Sequence, residues 1–368
     1  MKTRNNSTKI NLQILSALLV MVGLGNAQAD NGPQHRVPQL RPVALGTSGG
    51  NIADRSRRYC CSGTLGALVQ DAAGKKYILS NNHVLARGNQ AALGEDINQP
   101  GMIDQNCSQQ GAVADLSSFV RIQFWSGKKR PLNYVDAAIA AIRPADASNP
   151  NGYVQADGTI LDIGTVSSET VAPSAGLVVA KSGRTTGYTA GVIAAVGVTV
   201  NVAYSQTCGG ANNLTATFSD QIRIDGAGFS AGGDSGSLIV ELAPGGADGR
   251  PRAVGLLFAG GATSTFANRI GNVLTGLGVT MVGGTTTTAS GVTVGGADFL
   301  ATAKAAKERH SQALLDTPGV HGHGVGHSPG GQPVIEVYVE DEPAKGRVPS
   351  QLDGVPVRVI VTGPIVAF

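Results

Sequence analysis

The stretch Gly232-Gly233-Asp234-Ser235-Gly236-Ser237 decides how the rest of the chain is interpreted. A serine hydroxyl is a poor nucleophile near neutral pH, so a chain that uses one needs a base, a group that orients the base and a pocket for the developing anion. The glycines beside Ser235 allow a tight turn and leave the backbone N–H groups of Gly233 and Ser235 free to bind an oxyanion. A plain glycine-serine surface turn is the alternative, and partners elsewhere in the chain decide between the two.

One histidine is available to serve as the base in the middle of the chain. His83 follows the apolar run Tyr77–Ser80, which is predicted to be a strand, and no other histidine lies between His35 and His310. Imidazole changes its charge near neutral pH, which suits it to general-base catalysis. His83 is therefore the candidate base for Ser235.

The candidate group for orienting this base is Asp136. It lies in the predicted strand Val135–Ile142, which is otherwise apolar. An unpaired buried carboxylate is costly, so Asp136 should have a partner, and an imidazolium is the obvious one. Each of these residues alone could be a satisfied polar group of the core, but the ordered set His83, Asp136 and Ser235 predicts a catalytic triad.

Three short motifs around these residues resemble those of the chymotrypsin-like serine proteases, in the order of that family. They are His83 in Ser-Asn-Asn-His-Val, Asp136 in Asp-Ala-Ala-Ile-Ala and Ser235 in Gly-Asp-Ser-Gly-Ser. A fourth segment, Lys181–Tyr188, resembles a hairpin of the secreted bacterial members related to α-lytic protease and the streptogrisins. The resemblance covers about Pro42–Gly283, and four ordered motifs over that length are specific.

The resemblance implies an all-β fold of two antiparallel six-stranded β-barrels, with the active site in the cleft between them. It implies a serine endopeptidase in which Ser235 attacks the peptide carbonyl, His83 takes and returns the proton, and Asp136 fixes the imidazole tautomer. The backbone N–H groups of Gly233 and Ser235 would form the oxyanion hole. No cofactor is implied, and the expected partners are protein or peptide substrates.

Two supporting sets of residues also follow from the resemblance. Asp234 should be buried and needs a cation, and the bacterial members place a basic side chain where this chain has Lys181, so an ion pair between the two is predicted. The specificity pocket is formed by a floor shortly before the nucleophile and by a later wall strand. The residues assigned to substrate binding in this way are Phe229, Leu257, Phe258, Ala259 and Gly260. They carry no charge, which predicts an apolar, small to medium residue before the scissile bond.

Composition divides the chain into five segments. Basic residues, the apolar run Ile10–Leu24 and small residues up to Ala29 are typical of a secretory signal peptide, and the run is too short for a transmembrane helix. The predicted segments are the signal peptide (1–29), an extended N-terminal segment (30–41), a chymotrypsin-like protease domain (42–283), a Gly/Thr-rich linker (284–297) and a small α+β domain (298–368). Most of this last segment, Phe299–Phe368, resembles the tail of poorly characterised trypsin-like bacterial proteins and of the plant narrow-leaf protein.

Alternating runs and turn residues predict the secondary structure within these segments. Predicted strands are Thr64–Gln70, Lys76–Ser80, Phe119–Phe124, Val135–Ile142, Thr159–Ile163, Gly176–Ala180, Gly191–Val202, Ala216–Ile224, Gly236–Leu242, Ala253–Phe258 and Val279–Val282, with Gly319–Gly326, Pro333–Glu340 and Val355–Val361 in the α+β domain. Helices are predicted at Arg269–Leu277 and Ala297–Asp316.

The charge of the chain limits its partners. Removal of the signal peptide takes away three basic residues and no acidic ones, so the formal net charge falls from +3 to 0. A neutral protein lacks the basic surface that nucleic-acid binding requires. The mature chain is therefore predicted to be secreted or periplasmic, with no nucleic-acid partner and no membrane anchor.

Export also bears on the four cysteines, Cys60, Cys61, Cys107 and Cys208. In an oxidising compartment they predict up to two disulfides with three possible pairings, although neighbours such as Cys60 and Cys61 rarely bond each other. A zinc site is the alternative, but the sequence has no Cys-x-x-Cys pair.

A second candidate for metal binding lies near the end of the chain. His321 and His323 share one face of a predicted strand, which would allow them to bind a metal together. No carboxylate or cysteine is adjacent to complete the site. We therefore expect exposed histidines and no metal site.

Two other functions remain compatible with the sequence. A catalytically silent protein could keep the protease fold as a peptide-binding or assembly platform, although an intact triad argues against it. An esterase could use the same triad, but the chain lacks the alternating helices and strands of the fold usually behind that activity.

Overall fold

A computed structural model describes residues 32–226, 228–282 and 297–368 of the chain, and this part is mostly β. The predicted signal peptide lies outside the described residues, and so does the predicted linker except for Ala297. The fold class predicted from sequence is therefore confirmed at the level of a β-rich protein with a few helices.

The first part of the chain forms eight short strands. They are β1 Thr47–Asn51, β2 Gly63–Leu65, β3 Ala67–Gln70, β4 Lys76–Ser80, β5 Asp96–Asn98, β6 Ala112–Phe119, β7 Leu132–Asn133 and β8 Ala138–Ile142. Strand β4 is rich in β-formers, and its residues after Lys76 are buried. The turn Asp71–Gly74 joins β3 to β4, and Gly74 has the positive φ of 79° that glycine readily adopts.

Twelve more strands follow. They are β9 Val178–Gly183, β10 Gly187–Ser205, β11 Asn212–Asp225, β12 Leu238–Glu241, β13 Ala253–Gly260, β14 Ser264–Arg269, β15 Thr280–Met281, β16 Val320–His327, β17 Pro333–Val339, β18 Gln351–Leu352, β19 Val355–Val361 and β20 Val366–Ala367. Strand β13 is buried along its whole length. Such a fully apolar strand belongs in the interior of a sheet, with side chains packed on both faces.

Helices are few and mostly short. They are α1 Gly32–Arg36, α2 Asn82–Leu85, α3 Ile270–Leu277, α4 Ala297–Leu315 and α5 Glu342–Lys345, with a 3₁₀ helix at Met102–Gln105. Helix α3 ends at Gly278, whose φ of 66° suits a left-handed C-cap. Helix α4 is built from alanine and other strong helix formers and ends before Pro318.

The strands form one sheet of eight and one of twelve. The first has the order β15-β3-β4-β8-β6-β5-β1-β2, and the second has the order β18-β19-β17-β16-β10-β9-β12-β13-β14-β11-β7 with β20 beside β10 and β13. Within the second sheet, the six strands β10-β9-β12-β13-β14-β11 follow one another, and β10 also pairs with β11, so the first and last strands of this run are joined.

The prediction of two separate six-stranded barrels is not confirmed. The strands after the predicted linker continue the second sheet, because β16 pairs antiparallel with the long strand β10, with Val196 opposite Val325. Local sequence patterns predict strands but not which edge of a sheet they join, and β10 has room for several neighbours because it spans 19 residues.

Several predicted elements differ from those observed. The strand predicted at Phe119–Phe124 lies earlier, as β6, and Thr159–Ile163 forms only isolated bridges through Ile160. The segment 30–41 was predicted to be extended, but its residues Gly32–Arg36 form α1. His35 of this helix is buried, and its Nδ1 lies 2.8 Å from the carbonyl oxygen of Gly46, which fastens the helix to the residue before β1.

Two disulfides connect the loops around the first sheet. Cys60 pairs with Cys107, and Cys61 pairs with Cys208. The second bond joins the first sheet's loops to the turn between β10 and β11, so the adjacent cysteines fasten two different parts of the chain. The prediction of disulfides is supported, and the structure selects one of the three pairings.

The prediction of exposed histidines in β16 is wrong for His323. Its side chain is fully buried under α4, where Nε2 lies 2.8 Å from the Ser311 hydroxyl. Burial, with a further contribution from the positive charge of Lys307, lowers the pKa of His323 to about 3. A histidine that stays neutral can be buried beneath a helix, which the alternation of the strand alone does not indicate.

Candidate active site

A strand pairing brings His83 and Asp136 together. Strand β4 ends at Ser80 and is followed by α2, which carries His83, while Asp136 lies just before β8. The strands β4 and β8 are antiparallel with Ser80 opposite Ala138, so the end of one meets the start of the other. His83 is therefore on a short helix after a strand, and Asp136 lies before its strand rather than within it as predicted.

The two side chains form a buried hydrogen-bonded pair. His83 Nδ1 lies 2.6 Å from Asp136 Oδ2, and the backbone N–H of His83 donates to Oδ1 at 3.2 Å. The Asp136 side chain is fully buried, and that of His83 is 13% exposed. Oδ2 of the carboxylate thus orients the ring and Oδ1 binds the backbone of His83, so that Nε2 faces away from Asp136.

Three further residues, which no sequence motif predicts, hold Asp136 in place. The Tyr204 hydroxyl donates to Asp136 Oδ2 at 2.9 Å, and the Asn268 side-chain oxygen accepts from the Asp136 N–H at 3.0 Å. The Asn81 amide donates to the Asp136 carbonyl oxygen at 2.7 Å. Tyr204 also packs edge-on against the His83 ring. The tyrosine thus helps to satisfy a carboxylate that would otherwise be costly to bury, and the two asparagines bind the backbone of Asp136.

The protonation of His83 is set by competing effects. Desolvation lowers its pKa, but the charge of Asp136, the hydrogen bond to Asp136 and a hydrogen bond to the Phe368 carbonyl raise it, and the pKa lies above its usual 6.5. The half-buried Asp54 adds a smaller effect in the same direction. Burial in turn raises the pKa of Asp54 to about 6, against the opposing charges of Arg87 and His83.

Ser235 lies on a loop that packs against the first sheet. The N–H of Thr64 donates to the Ser235 carbonyl oxygen at 2.8 Å, and the N–H of Gly236 donates to the Leu257 carbonyl oxygen at 2.9 Å. Ser235 is fully buried, and its hydroxyl donates to the Phe258 carbonyl oxygen at 3.3 Å.

The described residues show no hydrogen bond between Ser235 and His83. His83 Nε2 instead lies 2.9 Å from the carbonyl oxygen of Phe368, the last residue of the sequence. Both ring nitrogens of His83 therefore face oxygen acceptors, an arrangement that favours the doubly protonated imidazolium.

The backbone around the predicted oxyanion hole requires glycine. Gly233 has a φ of 97°, and a Cβ at this position would lie 2.5 Å from the Thr185 hydroxyl. Its carbonyl accepts from the Thr64 hydroxyl at 3.0 Å and so points towards the first sheet. Within the described ranges, neither the Gly233 N–H nor the Ser235 N–H donates to a protein acceptor. Both remain available for a bound oxygen.

Asp234 lies in a buried cage next to this loop. Lys181 Nζ is 3.4 Å from Asp234 Oδ2, and both side chains are fully buried. The carboxylate also accepts from the N–H of Thr185 at 2.7 Å, from the Thr186 hydroxyl at 2.7 Å and from the Ala231 N–H at 3.0 Å. Burial lowers the pKa of Lys181, and the charge of Asp234 opposes this shift.

The nearby Arg184 pairs with a different carboxylate. Its Nε and Nη2 lie 2.6 and 2.7 Å from the two oxygens of Asp104. This bidentate contact ties the β9–β10 hairpin to the 3₁₀ helix of the first sheet. Lys181 is therefore the basic side chain that faces Asp234.

The residues assigned to the specificity pocket divide into two groups. Phe229 and Leu257 belong to one apolar cluster with Val179 and Ile224. The Phe258 ring packs instead in a second cluster, with its centroid 4.8 Å from that of Phe218, so it offers its backbone rather than its ring to the cleft. Ala259 and Gly260 follow on the same strand, β13.

No metal cluster is found in the part of the chain that the structure describes, where no three His, Cys, Asp or Glu side chains are placed to hold an ion. Among the helices of residues 32–226, 228–282 and 297–368, none has the length and apolar character to cross a membrane.

Comparison with known sequences places most of the chain in one family. The model of the family described as the Nal1 C-terminal domain matches residues 44–270. The match contains the candidate site residues before Phe368 and ends before the α+β segment, whose own resemblance stays a prediction. A search of curated proteins found no match.

Comparison with solved structures finds bacterial serine proteases at low similarity. A glutamic-acid-specific serine protease, described as using a histidine triad in substrate binding, is 21% identical with a TM-score of 0.41 and covers 65% of this chain and 100% of its own. Protease A of Thermobifida fusca is 18% identical with a TM-score of 0.40, over 65% and 98% of the two chains. A Nocardiopsis protease is also 18% identical, with a TM-score of 0.38 over 63% and 97%.

Proposed function

The chain belongs to the Nal1 C-terminal domain family, and from the site that it carries we propose that it is an exported serine endopeptidase. The observation that carries the proposal is the buried hydrogen bond of 2.6 Å between His83 and Asp136, with the other ring nitrogen 2.9 Å from the carbonyl oxygen of Phe368. A histidine with a purely structural role can also face two acceptors. Here, however, the second acceptor belongs to Phe368, whose N–H donates to the Phe258 carbonyl oxygen that the Ser235 hydroxyl also contacts. This is the position that a peptide bond would take in an acyl-transfer site.

The proposed mechanism assigns each group one role. With neutral His83 and a peptide in the cleft, the Ser235 hydroxyl turns from the Phe258 carbonyl to His83 Nε2, loses its proton to it and attacks the substrate carbonyl carbon. The tetrahedral oxyanion is held by the N–H groups of Gly233 and Ser235. His83 then gives the proton to the leaving amine, and a water molecule repeats the sequence to release the acyl group.

The supporting groups keep this geometry in place. Asp136 and its donor Tyr204 stabilise the imidazolium that forms during each transfer. The Asp234–Lys181 contact holds the loop before Ser235, so we propose it as the structural ion pair and expect no need for a newly cut N-terminus. No cofactor takes part in any of these steps.

Export and domain division belong to the same proposal. Two disulfides suit an oxidising compartment, which supports secretion or a periplasmic location. We propose that residues 42–283 form the protease domain, with strands β9 to β14 as its second barrel, and that residues 298–368 form an α+β domain joined to it through β10 and β16.

A substrate panel tests the activity. Purified protein should hydrolyse labelled casein and simple acyl esters, and Ser235→Ala should lower kcat by about 10⁴ to 10⁶ without changing the thermal unfolding midpoint. Hydrolysis of esters without casein would favour the esterase alternative. Equal activity in Ser235→Ala and unaltered protein would end the proposal, and no activity with either substrate class would favour the silent peptide-binding alternative.

A further inference from the structure

The last four residues of the sequence, Ile365–Phe368, lie in the candidate cleft. Strand β20 within this segment pairs antiparallel with β13, with Ala367 opposite Ala259 and Val366 opposite Gly260. The N–H of Phe368 lies 3.3 Å from the carbonyl oxygen of Phe258. A peptide that adds itself as a strand to an exposed sheet edge makes the same kind of backbone contacts.

We infer that the cleft binds peptides with phenylalanine before the scissile bond and a small residue before that, and that Ile365–Phe368 occupies it as such a peptide, in competition with substrates. The inference rests on the proposed function, since it places Phe368 at the position P1 of a protease substrate, with Ala367 at P2 and Val366 at P3. It replaces the small to medium P1 residue expected from sequence by a large aromatic one.

The side chain of Phe368 supports this assignment. It packs against the apolar cluster that contains Phe229 and Leu257, two of the predicted pocket residues. A Cβ at Gly260 would lie 2.1 Å from Phe368 Cζ and 2.6 Å from Cε2, so the ring lies directly on the backbone of Gly260. Only glycine at this position leaves room for a ring of that size.

The carbonyl of Phe368 supports it independently. Its oxygen lies 2.9 Å from His83 Nε2, the atom that would receive the proton of the nucleophile. Ser235 is buried and turned to the Phe258 carbonyl. The carbonyl group of Phe368 therefore lies at the proposed reacting groups, and while the segment is bound His83 is engaged by an acceptor and is not a free base.

Contacts outside the cleft hold the segment in place. Ile365 is buried, and its carbonyl oxygen accepts from the Ala203 N–H at 3.0 Å, which lets β20 bridge β10 and β13. The Thr362 carbonyl oxygen accepts from the Ala262 N–H at 3.1 Å. A tethered segment of this kind competes with substrates at a high effective concentration.

Opening the cleft tests the occupancy. In the full chain, Phe368→Asp places a charge against an apolar pocket and should release the segment, whereas Pro364→Ala alters the exposed residue that precedes the segment. We expect Phe368→Asp to react with a fluorophosphonate probe about tenfold faster than unaltered protein or more, and Pro364→Ala to react at the unaltered rate. Equal rates in all three labelled proteins would overturn the occupancy.

Peptide binding tests the same inference without catalysis. Isothermal titration of the Phe368→Asp variant with the peptide Ile-Val-Ala-Phe should show binding at least about tenfold tighter than with Ile-Val-Ala-Asp, because a charged side chain loses its hydration in the pocket. Binding of both peptides with equal strength, or of neither, would overturn the inference whether or not the protein is active. Peptide binding with no labelling of Ser235 would support the pocket and count against the proposed function alone.

A change at the wall sharpens the specificity. Gly260→Ala should lower kcat/KM for peptides with phenylalanine at P1 at least about tenfold more than for peptides with alanine at P1, because the added methyl group occupies the place of the ring. An equal loss for both peptides would show that the aromatic residue lies elsewhere, and would contradict the assignment of P1.

Discussion

Among the residues whose burial the structure describes, two aspartates are completely buried, Asp136 and Asp234, and their surroundings differ. Asp136 is bound by the imidazole of His83 and by the Tyr204 hydroxyl. Asp234 is bound by backbone N–H groups, a threonine hydroxyl and Lys181. The first carboxylate faces a group that gains and loses a proton near neutral pH, and the second is fixed by permanent donors. The proposed mechanism assigns the first carboxylate to the chemistry and the second to the support of the loop before Ser235.

The largest expected effect separates the two by activity. Asp136→Asn should lower kcat by about 10⁴-fold, because an amide stabilises the wrong tautomer of His83 and cannot stabilise the imidazolium. The thermal unfolding midpoint should change little, since the amide keeps the size of the carboxylate. Steady-state kinetics on peptide substrate measure the loss. If kcat fell by less than about tenfold, Asp136 would be a structural residue like Asp234.

The next effect separates them by stability. Lys181→Met leaves the buried Asp234 carboxylate without its cation and should lower the free energy of unfolding by about 3–5 kcal/mol. Chemical denaturation measures the change. Lys128→Met is the matched control, because Lys128 is exposed and should have almost no effect. Equal stability of the two variants would show that the hydrogen bonds around Asp234 suffice without Lys181.

A smaller effect concerns Tyr204, whose hydroxyl donates to Asp136. Tyr204→Phe removes the hydroxyl that donates to the buried carboxylate and should lower the free energy of unfolding by about 1–3 kcal/mol. It should also lower kcat, by a smaller factor than Asp136→Asn does. The exposed Tyr134 provides the control variant Tyr134→Phe. Identical denaturation curves for the two variants would remove Tyr204 from the support of Asp136.

The smallest expected effect is a pH shift. A general base must be neutral, and the pKa of His83 is raised above its usual 6.5, so activity should rise with pH through a midpoint above that value. Because the Phe368 carbonyl contributes to the raised pKa, the midpoint should move down in Phe368→Asp. The same raised pKa stabilises the fold at low pH, and this contribution is lost as the pH rises through it. A midpoint below 6.5 in unaltered protein would contradict the charge environment described for His83.

Much of the candidate site could be predicted because its chemistry is local in the sequence. Ser235 lies among glycines that a tight loop requires, and His83 and Asp136 each follow or precede an apolar run. These patterns record short-range constraints, such as strand alternation and turn geometry. They are sufficient to name His83 and Asp136, whose side chains the structure pairs, although they place Asp136 within a strand that begins only at Ala138.

The rest depends on contacts between distant parts of the chain. The Tyr204 hydroxyl contacts Asp136 because β10, which carries Tyr204, lies beside the site. The Phe368 carbonyl contacts His83 because β20 pairs with β13. Nothing in the residues beside Phe368 indicates which strand they join. For the same reason the pairing of β16 with β10, which extends the second sheet by the strands of the C-terminal segment, could not be predicted from periodicity.

The most direct test of the account is the site of covalent labelling by a fluorophosphonate, mapped by peptide mass spectrometry in the unaltered chain and in Phe368→Asp. The account predicts one adduct on the Ser235 hydroxyl, formed faster in Phe368→Asp and lost in His83→Ala, because the hydroxyl reacts only when the imidazole takes its proton. An adduct on Ser235 that forms as fast without His83, or folded protein that forms none in either chain, would contradict it.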